Sequence, residues 1–416
     1  MVPLWGIVDV AFSILVISTA VVAWWRGTWQ ILDAYDTSPW GSIPFGVGAT
    51  ILMVYGQVQM GVHRAVSTKV KWAVAERLVT CILGWATLCV WRGIWYLLDV
   101  LLLEPDKAGL TLEQAAWLTH AGGLAILGAA RVLRSALAAP ALILHDDAAN
   151  GFVFDSWALG QALRRGESER IMRLSTAASG DSAPPHTTSW AASAIDQLFV
   201  VAVIGTGVAG FWRGTWNILD AYIFPAQDAR VWSSLACLIG ASALGCVMAA
   251  IPFHSYAIWK INTRLERAVL ERCFTYVQAW IAVAFWRGTW LLLDYLLLER
   301  ARLSLSAAAW ASHLAGGGTL LVTCCFRSVV AAPLGPLYDD TWTGFQLMTF
   351  GGAMEARAAS KLLDTPEDLR CSRQGRAPGG RLELQRQQAQ RHISLDGLDV
   401  PESPTSAPPA AVASIA

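Results

Sequence analysis

The sequence predicts an all-α, polytopic membrane protein of eight transmembrane helices, built as two parallel-repeated four-helix halves with a disordered linker and a disordered C-terminal tail. Three observations carry that expectation: a deficit of charge, eight apolar runs of spanning length, and an internal repeat. Of the 416 residues 55% are hydrophobic and 15% charged, whereas a soluble fold needs roughly 25% charged residues to cover its surface. The excess apolar mass must face lipid. Lys plus Arg and Asp plus Glu are equal at 31 each, so no basic field exists to attract nucleic acid.

Crossing a hydrocarbon layer of about 30 Å takes about 20 helical residues. Runs of that kind recur at approximately 10–32, 41–62, 74–98, 114–134, 197–219, 232–253, 270–293 and 308–330. The first has no basic leader and no small-residue cleavage site, and reads as a span rather than a signal peptide. This divides the chain into a first membrane half (1–145), a cytoplasmic linker (146–192), a second membrane half (193–340) and a cytoplasmic tail (341–416). The linker holds Arg164, Arg165, Arg170 and Arg173 and a Ser/Thr/Pro-rich stretch, and the tail is rich in Gln, Arg, Pro and Ser. Such compositions cannot bury enough apolar surface to fold. Six cysteines, Cys81, Cys89, Cys237, Cys246, Cys324 and Cys325, fall inside apolar runs, where a thiol behaves as a small hydrophobe, so free thiols are expected.

The repeat is Trp-Arg-Gly-x-Trp-x-x-Leu-Asp. It occurs as Trp25-Arg26-Gly27-Thr28-Trp29 with Asp33, Trp91-Arg92-Gly93-Ile94-Trp95 with Asp99, Trp212-Arg213-Gly214-Thr215-Trp216 with Asp220, and Trp286-Arg287-Gly288-Thr289-Trp290 with Asp294. Trp117, His120, Arg134, Pro140, Asp146 and Phe152 recur 193 residues later as Trp310, His313, Arg327, Pro333, Asp339 and Phe345. Successive motifs are separated by an even number of crossings, so all four lie at one membrane face. The short loops on the other side carry Arg64, Lys69, Lys71 and Arg77, then Lys260, Arg264, Arg267 and Arg272. By the positive-inside rule the motifs face outward and both termini are cytoplasmic.

On a helix the Arg, the second Trp and the Asp stand at i, i+3 and i+7 and form one stripe over about two turns. The bland expectation is that the Arg snorkels to headgroups, the Trp joins an aromatic belt, the Gly permits close helix contact and the Asp pairs with an Arg of a neighbouring copy. The sharper one is a vestibule lined by four Arg/Asp stripes, the pathway of a channel or transporter. His120 and His313, beside Gly122-Gly123 in the fourth run and Gly316-Gly317-Gly318 in the eighth, are expected to make interhelical hydrogen bonds rather than to bind metal. Ser168 and Ser394 follow Arg165 and Arg391 by three residues, a spacing basophilic kinases accept, where a phosphate would add negative charge beside basic residues. No catalytic constellation is legible, and the expectation is a non-enzymatic protein with no cofactor.

The eight spans, the Trp-Arg-Gly-Thr-Trp-x-x-Leu-Asp repeat and the matched Ala-Ala-Pro segments at 138–140 and 331–333 resemble the fuseless family of animal transmembrane proteins, over about 5–345. The resemblance implies a plasma-membrane, presynaptic role: organising voltage-gated calcium channels at active zones in support of neurotransmitter release. Membrane lipids are then the expected surroundings, and a calcium channel or active-zone proteins the expected partners. The second copy departs from the pattern at Ile94, so any role of the motif threonine is not fourfold.

Overall fold

The computed structural model describes residues 11–35, 38, 40–49, 69–138, 198–226, 229–250 and 264–330, all within the unit Met1–Ala358. They form eight helices and, among the described residues, no strand. Helix α1 (Thr19–Ala34) is entered through a π-helical turn, Ser13–Ser18; α2 occupies 40–49; α3 is Lys69–Leu103; α4 is Leu112–Ala129. Helix α5 (Thr206–Tyr222) is likewise entered through a π-helical turn, Val200–Gly205; α6 is Arg230–Ala250; α7 (Arg264–Asp294) leaves through a third, Tyr295–Arg300; α8 is Leu305–Val322. Among the described residues three stretches are long and apolar enough to cross a membrane: Arg77–Leu103, Arg230–Met248 and Ala268–Arg300. The chain is an all-helical membrane protein.

The distribution of polarity is what lipid demands. Leu15, Ile239, Leu314 and Val322 are exposed, while the guanidinium-bearing Arg26 and Arg213 are wholly buried. In water this would expose apolar side chains to an unfavourable solvent while desolvating cations at great expense. In a bilayer the apolar surface meets hydrocarbon and the cations need partners inside the protein.

Helices α1, α3, α5 and α7, which carry the motifs, surround a common axis, and the other four lie outside them. Each crossing is set by glycine. A Cβ on Gly27 of α1 would stand 2.3 Å from the His313 backbone nitrogen of α8, and one on Gly214 of α5 would stand 2.3 Å from the His120 nitrogen of α4. From the other side, Gly316 lies against Trp24 and Gly123 against Phe211, again with room for no Cβ. Gly288 meets Leu238 of α6 in the same way, and Gly46 of α2 meets Ala86 and Val90 of α3. Small residues at such crossings let helix backbones touch, which is how helices associate where water supplies no hydrophobic drive. The pairing order is therefore α2 with α3, α4 with α5, α6 with α7, and α8 with α1. The last helix covers the first, and α4 of the first half covers α5 of the second, so the two halves interlock.

The fourth and eighth helices end earlier than the apolar runs predict, at Ala129 and Val322 rather than near 134 and 330. Each stops by the same device. Arg131 and Cys324 take left-handed backbone angles, φ 58° and 55°, and Val132 and Cys325 donate their N–H groups to the carbonyls of Leu127 and Leu320, both at 2.9 Å. This six-to-one bond is the Schellman closure that satisfies a helix C-terminus. The chain then reverses into short 3₁₀ turns, Leu133–Ala136 and Phe326–Val329, whose residues Leu133, Ala136, Phe326 and Val329 are buried. The apolar run continues because the returning segment packs inside the protein. At their starts the same helices are capped: Thr111 accepts from the Gln114 N–H at 3.2 Å within a full capping box, and Ser304 accepts from the Ala307 N–H at 3.2 Å.

Candidate functional site: a tryptophan cage inside a ring of ion pairs

At 100° per residue, the two tryptophans of a motif, four positions apart, sit about 40° from each other; the Gly falls about 180° from their midpoint and the Arg about 80°. Pointing the glycine at an outer helix therefore turns both tryptophans to the axis and sends the arginine sideways to the next motif helix. The four helices obey this in register. Trp25, Trp91, Trp212 and Trp286 form one tier, each ring edge-to-face with the next at centroid separations of 5.4, 5.4, 5.0 and 5.3 Å. Trp29, Trp95, Trp216 and Trp290 form a second tier one turn further along, at 5.9, 6.0, 5.9 and 6.0 Å. Edge-to-face contact sets the positive rim of one ring against the negative face of its neighbour, worth about 0.5–1.5 kcal/mol per pair beyond the area buried.

Around the tiers runs a closed circle of ion pairs. Arg26 donates from Nε and Nη2 to Asp294 Oδ1 at 2.9 and 2.7 Å, and Arg92 does so to Asp33 Oδ1 at 3.0 and 2.8 Å. Arg213 bonds through Nε to Asp99 at 2.8 Å, and Arg287 through Nε to Asp220 at 2.8 Å. Every arginine thus pairs with the acid of the preceding motif helix, and the first pairs with the last. Each guanidinium also donates outward to a hydroxyl on the outer helix: Arg26 to Ser312 (2.6 Å), Arg92 to Ser42 (2.9 Å), Arg213 to Thr119 (3.4 Å) and Arg287 to Ser233 (2.9 Å). Arg287 adds Cys237 Sγ at 3.1 Å, and Gln30 donates to Asp294 at 2.9 Å. The guanidinium groups are buried between helices and do not reach out to headgroups; the outer-helix oxygen and the neighbouring carboxylate together replace the water they leave. Nothing in the motif announces these hydroxyls, although Thr119 and Ser312 each precede a matched histidine.

His120 and His313 are held by the motif threonines: His313 Nδ1 lies 2.8 Å from Thr28 Oγ1, and His120 Nδ1 2.9 Å from Thr215 Oγ1, with His120 Nε2 also 3.0 Å from the Tyr276 hydroxyl. Each ring also packs at a tilt against an inner aromatic, His313 against Trp24 and His120 against Phe211. These bonds tie α8 to α1 and α4 to α5. The other two copies differ. Ile94 has no hydroxyl, and Thr289 Oγ1 is buried with no hydrogen-bond partner. Replacing Thr289 with the near-isosteric Val should therefore leave stability unchanged or raise it by about 1 kcal/mol, whereas Thr28→Val and Thr215→Val should each lower it by about 0.5–1.5 kcal/mol. Thermal unfolding of the detergent-solubilised chain reads both signs.

Inside the tiers lies a cavity of about 230 Å³, lined by the eight tryptophans and Tyr96. The tier of Trp25, Trp91, Trp212 and Trp286, the inner tier, forms the end of the cavity nearer the 3₁₀ turns, and the tier of Trp29, Trp95, Trp216 and Trp290, the outer tier, the other end. In the inner tier Trp25 and Trp212 donate their indole N–H groups to the carbonyls of Val329 and Ala136, both at 2.9 Å, so the 3₁₀ turns seat beneath the cage. None of the motif arginines or aspartates lines the cavity. The seven described cysteines are free thiols. Ser168 and Ser394, the linker 146–192 and the tail 341–416 lie outside the described residues.

The chain belongs to the Fuseless family, whose model matches residues 4–330. That interval takes in all four motifs and both 3₁₀ turns. Neither a curated protein nor a solved structure matches the chain.

Proposed function

We propose that this member of the Fuseless family is a non-enzymatic, eight-pass plasma-membrane regulator that organises voltage-gated calcium channels at presynaptic active zones. In this reading the motifs face outward, both termini are cytoplasmic, and the linker and tail recruit active-zone proteins, with Ser168 and Ser394 as sites where phosphate resets those contacts. The family supports the synaptic role. The observation that favours a scaffold over a conducting pathway is the closed circle of Arg–Asp pairs: the four motif arginines are buried against neighbouring helices and each is neutralised by a motif aspartate, while the space on the axis is walled by aromatic rings. A polar route along the Arg/Asp stripes needs those groups turned to a common aqueous space, and they are turned to each other.

Four measurements test this. The tagged chain should co-purify with a calcium-channel pore subunit from neuronal membranes, and its loss should lower presynaptic calcium current without changing the single-channel conductance. Ion or solute flux in liposomes that Arg92→Gln and Arg287→Gln abolish would overturn the scaffold reading. Glycosylation sites placed in the loop 104–111, on the motif side, should be modified in cells, and sites in the tail should not.

A further inference from the structure

We propose that the tryptophan cage is a binding site for a quaternary ammonium group, the trimethylammonium head of a choline compound. The cavity wall is aromatic throughout, without a Leu, Val or Ile among the lining residues. A channel for an acyl chain gains nothing from indole over aliphatic carbon. A soft, weakly hydrated cation does, because the negative faces of Trp rings attract it without hydrogen bonds. The polar atoms of the lining are indole N–H groups and one phenol; Trp25 and Trp212 already use theirs on backbone carbonyls, and the Tyr96 hydroxyl donates to Asp33 at 3.4 Å. A ligand that requires acceptors, such as a sugar hydroxyl or an ammonium N–H, is thereby disfavoured, and one with methyls and delocalised positive charge is suited. The volume, about 230 Å³, falls below the roughly 300–1,000 Å³ of pockets that enclose drug-sized ligands.

The field at the mouth has the matching sign. All four motif helices run the same way, and the C-terminal end of a helix carries partial negative charge. Each motif acid stands one turn beyond the outer tier, and its Arg partner is anchored about 10 Å lower, seven residues back along the helix. The arginine side chains nevertheless reach up to the acids, with guanidinium nitrogens within 3.0 Å of the carboxylate oxygens, so each pair is close to neutral seen from the axis and the helix ends set the sign. The helix ends favour a cation there over an anion.

The trimethylammonium group has two sources, free choline compounds or the headgroup of phosphatidylcholine, and the same site chemistry serves both. The test is saturation-transfer NMR on the methyl protons of tetramethylammonium and choline with the full-length chain in a choline-free detergent, against 3,3-dimethyl-1-butanol, the neutral carbon isostere of choline. Both cations should bind saturably and at least tenfold more tightly than the isostere. Equal binding of the isostere would show a merely apolar cavity and overturn the proposal. In the outer tier, Trp29→Leu with Trp216→Leu should weaken binding at least tenfold and Trp95→Phe, which keeps a π face, no more than about threefold. Unchanged binding in a double variant that remains monodisperse would place the ligand elsewhere and also overturn it. Should the double variant misfold, the isostere comparison on the native chain decides alone. Nanodiscs of phosphatidylcholine that compete with free choline, where phosphatidylglycerol nanodiscs do not, would assign the lipid headgroup as the occupant; equal binding in both would assign the free compound.

Discussion

Asp294→Asn is expected to destabilise the helix bundle by about 3–5 kcal/mol, because it leaves the Arg26 guanidinium buried without its counter-charge. Arg26 is fully inaccessible, and the Asp294 side chain is 13% exposed, the least of the four acids. The remaining partners, Ser312 and the amide of a mutated Asn, supply oxygen but no charge. Arg26→Gln with Asp294→Asn should recover most of the loss, since two neutral amides can bond to one another and carry no Born penalty. The circle also predicts a gradient. Asp220 is 36% exposed and its partner Arg287 keeps Ser233 and Cys237, so Asp220→Asn should cost markedly less than Asp294→Asn. Equilibrium unfolding in mixed detergent micelles measures all three variants. Single substitutions costing under 1 kcal/mol, with no recovery in the double variant, would mean that the ring of pairs does not hold the bundle together.

Gly27→Val should be comparably severe for a different reason. The added Cβ would meet backbone, the His313 nitrogen at 2.3 Å and the Ala309 carbonyl oxygen at 2.6 Å, and backbone cannot rotate away as a side-chain end can. Helix α8 must retreat, which breaks the Thr28–His313 bond, the Arg26–Ser312 bond and the Gly316 contact together. Overpacking alone costs about 1–3 kcal/mol, and the lost bonds place the total at or above the top of that range. Gly214→Val should do the same between α5 and α4, where the corresponding distances are 2.3 and 2.6 Å. Gly318, which has nothing within 4 Å of a built Cβ, is the control: Gly318→Ala should be neutral. Size-exclusion profiles and thermal unfolding distinguish the three.

Part of this architecture is legible along the chain and part is not. Low charge, apolar run length and the Trp-Arg-Gly repeat announce an all-helical membrane protein and its family. Periodicity places Trp25 and Trp29 on one face with Gly27 behind them. The stripe of Arg26, Trp29 and Asp33 nevertheless misleads as a unit, because spacing along one helix says nothing about which neighbour each side chain meets. Trp29 turns to the axis, while Arg26 and Asp33 pair with different helices. The ends of α4 and α8 were misplaced because apolar residues of a returning 3₁₀ turn look, in one dimension, like more helix; Arg131 and Cys324 carry no glycine to mark the reversal.

By itself, then, the sequence determined that four equivalent helices would carry a charge pair and two indoles each to the same face, because composition and period are local properties of the chain. Only the tertiary structure decided that the circle closes. The pairing of Arg26 with Asp294 and the docking of α8 on α1 join residues some 270–290 positions apart, and such contacts are chosen by which crossings let glycine backbones touch and leave every buried guanidinium a carboxylate. That closure is what converts eight tryptophans, each ordinary at a membrane interface, into one cage.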